Sequence, residues 1–167
     1  MAADRIPTPS QTVGPFFGFG LPFELDSQAV PPDSRGALRI EGQLLDGAGD
    51  PVPDGLLEVW QGDQFARCRT DPEGVFHFTV RKPPRLPGPD GRPQAPHLNL
   101  LVFARGLLRH LVTRIYFPDE QEANAADPVL QRLDADAGAT LVARPDGDIL
   151  HFDVRLQGSD QTTFFAL

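Results

Sequence analysis

Apolar and polar residues alternate over residues 37–44, and this period of two predicts a strand with one buried face. Five further segments have strand-like patterns: Leu56–Gln61, Val75–Arg81, and residues 97–104, 111–117 and 150–157. Residues 162–166 are a candidate for a last edge strand. Only residues 120–133 have a helical pattern, which Pro128 interrupts.

Short strands joined by closely spaced turns predict an all-β fold, a β-sandwich of mainly antiparallel strands with one short helical segment. We expect residues 37–167 to form this sandwich. Residues 1–36 contain six prolines and no sustained period, so they predict an extended N-terminal arm in what is a single domain overall. Phe16, Phe17, Phe19 and Phe23 make the arm too apolar for a solvated tail, and it is expected to pack on its own domain or on a partner.

The charge balance narrows the classes of partner. The chain has 15 Lys and Arg against 23 Asp and Glu, a formal net charge of -8. Such a surface repels phosphate backbones and anionic lipid headgroups, so neither nucleic-acid nor membrane partners are expected. Cys68 is the only cysteine, which excludes an internal disulfide and a thiolate-built metal site. The first residues lack the apolar run of a secretion signal, which predicts a cytoplasmic protein.

Candidate catalytic side chains are few. No serine lies in a G-x-S-x-G context, which argues against a serine hydrolase. His151 and Asp153 have the H-x-D spacing of a facial iron site, but no histidine follows them, and a polar outer face is the favoured interpretation. His97 and Asn99 lie on the same face of one predicted strand. Trp60 is predicted to lie in the core.

Motifs occur in a fixed order along almost the whole chain: TPSQTVGPF at residues 8–16, EGQ at 41–43, LEVWQ at 57–61, the segment 95–106, TRIYF at 113–117, FDVRLQG at 152–158 and TFF at 163–165. Together they resemble the intradiol ring-cleaving dioxygenases, and among these the α-type subunits. The resemblance implies O2-dependent cleavage of protocatechuate, a catechol with a carboxylate, between its hydroxyl-bearing carbons. The implied product is 3-carboxy-cis,cis-muconate, formed in the β-ketoadipate route.

The resemblance also allows the ferric ligands of the family to be compared with the residues of this chain. Catalytic chains of this family hold a non-haem Fe(III) with two tyrosines and two histidines. In this sequence the histidine pair corresponds to His97 and Asn99, and Leu86 stands where one ligand tyrosine is expected. Tyr116 is the only tyrosine, and one tyrosine cannot supply two phenolates. The resemblance therefore implies no catalytic residue and no metal ligand on this chain, and an iron-bearing partner β subunit within a larger assembly of α/β units.

On positions that match the family, the substrate pocket would be lined by Thr12, Gly14, Pro15, Phe16 and Arg105. In this implied site the Thr12 hydroxyl forms hydrogen bonds, Gly14 and Pro15 allow close backbone approach, Phe16 stacks on a ring and Arg105 attracts a carboxylate. A competing interpretation is that Phe16 packs against a partner subunit and does not contact the substrate. Two alternative functions stay open: a non-catalytic β-sandwich binding or scaffold module, and a stand-alone dioxygenase for another catechol.

Overall fold

Strands account for most of the regular structure in the described part of the chain. The computed structural model describes residues 9–12, 14, 16–88 and 90–166. In chain order its strands are β1 (Ala37–Leu45), β2 (Leu56–Gln61), β3 (Gln64–Arg69), β4 (Val75–Arg81), β5 (Leu86–Pro87), β6 (Pro93–Gln94), β7 (His97–Phe103), β8 (Leu111–Tyr116), β9 (Arg144–Asp146), β10 (Ile149–His151) and β11 (Val154–Arg155). The short helices are α1 (Phe17–Gly20), α2 (Gln121–Ala126), a 3-10 turn (Leu130–Arg132) and α3 (Ala135–Ala139).

Two sheets face each other. One has the order β3-β2-β7-β8 and is antiparallel throughout. In the other, β1 pairs antiparallel with β4, while β10 and β11 follow one another in parallel along the opposite edge of β1. β9 pairs antiparallel with β10, and β5 and β6 form a separate ribbon. The prediction of a mainly antiparallel β-sandwich is confirmed, with the addition of this parallel edge.

The core lies between the two sheets. Alternate residues of β7 and β2, such as Leu100 and Val59, pack against inward residues of β1 and β4, such as Ile40 and Phe78. Gly42 on β1 allows a close approach within the sheet that contains β1, because a Cβ atom there would lie 1.8 Å from the carbonyl oxygen of Phe152. Any side chain at position 42 would therefore push the end of β10 away from β1.

The arm bonds to both sheets. On β4, Thr79 O accepts a hydrogen bond from Ala29 N (2.8 Å), and Thr79 N donates one to Ser27 O (2.9 Å). Arg67 N on β3 donates to Asp26 O (2.7 Å). This part of the arm therefore lies along the side where β3 of one sheet meets β4 of the other. The prediction that the arm is extended needs correction, because Phe17–Gly20 forms one turn of helix.

The helical segment expected over residues 120–133 is present, but the prediction that it is the only one is wrong, because α1 and α3 are further short helices. The chain there divides into α2 and the 3-10 turn, which is consistent with the break expected at Pro128. A third short helix, α3, follows. Asp134 caps it by accepting a hydrogen bond from Ala137 N (2.7 Å), and three alanines within Ala135–Ala139 favour the helix. In the described residues no helix is both long enough and apolar enough to cross a bilayer.

Three further predictions differ from the structure. The strand expected over residues 150–157 belongs to two strands, β10 and β11, separated at Phe152 and Asp153. Residues 162–166 form no strand, although Phe165 N donates to Val112 O (2.8 Å). Trp60 does not lie in the core. It stands on the outer face of β2, 46% exposed, with its ring centroid 4.4 Å from that of Phe65.

Candidate functional site

A cleft of about 670 Å³ separates the arm from the loops at one end of the sandwich. Its size is within the range of small-molecule sites. The lining residues come from the arm helix, from the turn before β2, from the end of β3 and from the loop after β7: Phe17, Gly18, Phe19, Pro53, Asp54, Arg69, Thr70, Asp71, Pro72 and Arg105. We call this the Arg105 cleft. Phenylalanine and proline side chains give it apolar surface, and its charged lining consists of two arginines and two aspartates.

Arg105 follows the last residues of β7, where the chain turns through Gly106 at a positive φ of 85°. Its side chain is 63% exposed, and its Nε donates a hydrogen bond to Asp54 Oδ2. Among the described residues, no other hydrogen bond of the Arg105 side chain is formed. The two terminal nitrogens of this guanidinium are therefore free to bind an anion.

Arg69 connects the arm to the same cleft. Its guanidinium carbon lies 5.7 Å from the ring centroid of Phe19, and its Nη1 donates a long hydrogen bond to Gly18 O (3.5 Å). These contacts hold the arm helix at the end of β3. The sequence did not single out Arg69 or Asp54, because Arg69 lies in a segment without a recognised strand pattern and Asp54 lies in an ordinary turn.

The predicted site residues are only partly brought together. Arg105 lines the cleft, and so do Phe17 and Phe19 of the arm. Thr12, Gly14 and Phe16 are not among the described residues that line it, and Phe16 is 81% exposed. Pro15 lies outside the described residues. The arrangement of the arm around a substrate therefore stays a prediction.

A second cleft, of about 490 Å³, lies beside the turn between β7 and β8. It is mainly apolar and lined by Gln11, Phe103, Ala104, Leu107, Leu108, Arg109, His110, Leu111, Phe165 and Ala166. Arg109 Nε donates to Ser10 Oγ (3.2 Å), so the beginning of the described arm contacts this cleft. The described arm residues thus contact two neighbouring clefts, one with Arg105 and one with Arg109.

His97 lies in a different environment, buried at the beginning of β7. Its Nδ1 is 2.8 Å from Ala95 O, and its Nε2 is 3.2 Å from Gln61 Nε2. Since a carbonyl oxygen can only accept, Nδ1 carries the proton and Nε2 accepts from the amide. Burial lowers the pKa of His97 below its usual 6.5. Both ring nitrogens of this neutral histidine are already used.

Tyr116 is also fully buried, and its ring centroid is 5.5 Å from that of His97. Its hydroxyl donates to Asp127 Oδ1 (3.2 Å) and accepts from Arg114 Nη1 (3.1 Å). Burial raises the pKa of Tyr116 to about 12, so the hydroxyl stays protonated at neutral pH. We call His97, Gln61, Tyr116, Arg114 and Asp127 the Tyr116 cluster.

Asp127 is the central acceptor of the cluster and is completely buried. Besides the tyrosine hydroxyl it accepts from the backbone nitrogens of Ala95 (2.7 Å), Val129 (2.8 Å) and Leu130 (3.1 Å). It therefore joins β6, β8 and the chain that follows α2. These bonds give the cluster a structural role.

The Tyr116 cluster does not fit a ferric site with two tyrosinates and two histidines. The cluster has one tyrosine, which is held protonated, and one imidazole, which has both nitrogens engaged. Within residues 9–12, 14, 16–88 and 90–166, no group of three His, Cys, Asp or Glu side chains is placed to hold a metal ion.

His151 and Asp153 form an ion pair or hydrogen bond at the protein surface, with 3.0 Å between His151 Nε2 and Asp153 Oδ1. The same oxygen accepts from Gln43 N (3.0 Å), which joins this segment to β1. Phe152 and Val154 are buried, as the favoured interpretation of this segment predicted. The H-x-D motif therefore stabilises the sheet.

Comparison with known proteins identifies the chain's relatives, although no family model matches it. It is 39% identical to a protocatechuate 3,4-dioxygenase alpha chain from Burkholderia cepacia, with 95% of this chain and 96% of that one aligned. The corresponding alpha chain from Pseudomonas putida is 36% identical, with 95% of each chain aligned. The chain belongs to the protocatechuate 3,4-dioxygenase alpha-chain family.

More distant relatives include a protocatechuate 3,4-dioxygenase beta chain from Burkholderia cepacia. It is 31% identical over 74% of this chain and 65% of its own length. Among solved structures, the dioxygenase domain of a carbohydrate-binding fusion protein from Streptomyces sp. SirexAA-E has a TM-score of 0.62 at 24% identity, and covers 92% of this chain and 100% of its own. Hydroxyquinol 1,2-dioxygenase from Pseudomonas putida DLL-E4 has a TM-score of 0.61 at 22% identity, over 89% of this chain and 65% of its own. These two similarities confirm the intradiol dioxygenase fold.

Proposed function

We propose that this chain is the alpha subunit of a protocatechuate 3,4-dioxygenase. In complex with a beta subunit it would open protocatechuate between its two hydroxyl-bearing carbons, with incorporation of both atoms of O2, to give 3-carboxy-cis,cis-muconate in the β-ketoadipate pathway. The observation that carries the proposal is the 39% identity to an alpha chain over nearly the full length of both chains.

The ferric ion is assigned in this proposal to the beta subunit. The state of the Tyr116 cluster supports this assignment, because its tyrosine and its histidine are fully engaged within the chain. The alpha chain would contribute binding surface to a site near the contact between the two subunits, and α/β units would assemble further in the cytoplasm.

Within that site, Arg105 would bind the substrate carboxylate, and Thr12, Gly14, Pro15 and Phe16 would line the pocket from the arm. The first role is supported by the terminal nitrogens of Arg105, which form no hydrogen bond with any described residue. The exposure of Phe16 and Phe19, at 81% and 76%, supports contact of this part of the arm with a partner subunit, which would cover such apolar side chains.

The first experiment compares the chain purified alone with the chain co-expressed with its beta subunit. Iron content, visible absorbance and protocatechuate turnover are measured in both samples. We expect the lone chain to be iron-free and inactive and the complex to be coloured and active. Turnover by the lone chain would support a stand-alone dioxygenase, whereas a complex without iron or turnover would support a scaffold module.

The second experiment replaces Arg105 in the active complex. Loss of a charged hydrogen bond to the carboxylate in Arg105→Ala is expected to raise KM for protocatechuate by about 10- to 100-fold. KM for 4-methylcatechol, which has no carboxylate, should stay unchanged. Arg132→Ala removes an exposed arginine from the 3-10 turn and serves as the charge-matched control. An equal rise in KM for both catechols would contradict the assigned role.

A further inference from the structure

Asp54 is held rigidly in the turn before β2, in contrast to the exposed arginine that it contacts. The buried hydroxyl of Thr70 donates to Val52 O (2.7 Å) and accepts from Gly55 N (2.8 Å), on the two sides of Asp54. Thr70 N also donates to Gly55 O (3.0 Å). Gly55 itself has no room for a side chain, since a Cβ atom would lie 2.3 Å from Leu44 Cδ2. The backbone that carries Asp54 is thereby fixed to the core.

The contact between Asp54 and Arg105 uses only one part of the guanidinium. Asp54 Oδ2 accepts from Nε, and Nη1 and Nη2 form no hydrogen bond with any described residue. A guanidinium can bind a second carboxylate through its two terminal nitrogens while Nε is occupied. The contact therefore restricts the side chain without blocking the edge that would bind a ligand.

This ion pair contributes little to the folding stability of the chain. Arg105 is 63% exposed and Asp54 is 24% exposed, and ion pairs in such settings contribute little to folding because solvent screens them. The pair has a larger effect on binding. A free arginine side chain loses rotamer entropy when it binds a ligand, and a side chain already held in place loses less.

We propose that Asp54 is a positioning residue, which holds the Arg105 guanidinium through Nε so that its terminal nitrogens bind the carboxylate of an aromatic substrate. This inference rests on the proposed function. It adds to that function a residue through which Arg105 selects catechols with a carboxylate over catechols without one.

The test uses the co-expressed α/β complex carrying Asp54→Asn, which keeps the size of the side chain and removes its charge. We expect KM for protocatechuate to rise by about three- to tenfold, with kcat within twofold of the parent. KM for 4-methylcatechol, or its inhibition constant where turnover is slow, should not change. Asp54→Glu should recover part of the lost affinity. Asp119→Asn, which removes an exposed carboxylate from another ion pair with Lys82, is the matched control and should leave both values unchanged.

The double variant Asp54→Asn with Arg105→Ala decides whether Asp54 acts through Arg105. If it does, the double variant has the same KM for protocatechuate as Arg105→Ala alone. A fall in KM for Asp54→Asn would overturn the proposal, because Asp54 would then only neutralise Arg105. Equal rises in KM for both catechols, or additive effects in the double variant, would overturn it as well.

The experiments distinguish failure of the proposed function from failure of the role proposed for Asp54. A parent complex without iron or turnover would refute the proposed function before any variant is compared. A complex in which Arg105→Ala raises KM selectively while Asp54→Asn has no effect would refute only the role of Asp54.

Discussion

The Tyr116 cluster and the Arg105 cleft both combine charged and aromatic side chains, yet they differ in how their polar atoms are satisfied. In the cluster, Asp127 accepts four hydrogen bonds and both nitrogens of His97 are engaged. In the cleft, Arg105 is exposed and forms a hydrogen bond to a described residue through one nitrogen of three. A buried network that is complete within the chain stabilises the fold, whereas an exposed and incomplete one is available for a ligand.

This comparison predicts that changes in the cluster alter stability and leave substrate selection unchanged, and that changes in the cleft do the reverse. The largest effect on the free energy of unfolding is expected for Asp127→Ala, in the Tyr116 cluster. It leaves several buried donors without an acceptor, each at a cost of about 1 to 3 kcal/mol, and we expect the chain to lose about 3 to 5 kcal/mol. The melting temperature of the α/β complex should fall accordingly. Asp127→Asn keeps one carbonyl oxygen and should lose less, and equal melting temperatures for parent and Asp127→Ala would contradict the structural role.

Tyr116→Phe tests the same cluster with a smaller change. It removes one hydroxyl, which leaves Arg114 Nη1 and Asp127 Oδ1 each without one partner, and about 1 to 2 kcal/mol should be lost. The visible absorbance and iron content of the complex should not change, because this tyrosine is not a metal ligand in the proposed function. A loss of colour in a folded complex would show that the cluster takes part in the iron site.

The buried histidine gives the cluster a pH dependence. The pKa of His97 is lowered in the folded chain by burial, so below about pH 6.5 the unfolded chain binds a proton that the folded chain does not. The free energy of unfolding should therefore decrease as the pH falls through 6.5, and be unaffected by this group above it. His97→Gln should flatten the slope by no more than about 1.4 kcal/mol per pH unit. Unfolding in denaturant at several pH values measures this, and identical slopes would contradict it.

The smallest effect on the free energy of unfolding is expected for Arg69→Gln, in the Arg105 cleft. It removes the contacts with Phe19 and Gly18 O, which are partly exposed and together contribute less than about 1 kcal/mol. The melting temperature should hardly change. Cleavage of the arm by chymotrypsin, which cuts after phenylalanine, should become faster than in the parent complex. Arg132→Gln is the control, and equal cleavage rates in both variants would show that Arg69 does not hold the arm.

The strands that sequence analysis located well share a strong pattern. β1, β2 and β4 have large apolar residues at alternate positions or along the whole strand, and their predicted bounds agree with the structure to within one residue. β3 was not predicted, because its inward residues are the small Ala66 and Cys68 and its outward residues include two arginines. Trp60 was misplaced because each face of β2 carries two apolar residues and one polar residue. Only the register with β3 and β7 decides which face is outside.

The candidate site was predictable only where a family motif passes through it. Arg105 lies within such a motif, so the resemblance identified it. Asp54 lies between Pro53 and Gly55, in a triplet that predicts a turn and nothing more. Its contact with Arg105 joins residues 51 positions apart, and no local pattern reveals such a contact. Similarly, the engaged state of His97 depends on Gln61, 36 positions away.

The parallel edge of β1 determines the order in which the sandwich can be completed during synthesis. Ile40 pairs with Leu150 and Leu44 pairs with Val154, so nearly the whole chain must leave the ribosome before this edge has its partner. Until then β1 presents an open edge to other nascent chains, and contacts of such long sequence separation form slowly. The nascent subunit is therefore exposed to aggregation at this edge until β10 and β11 have been synthesised.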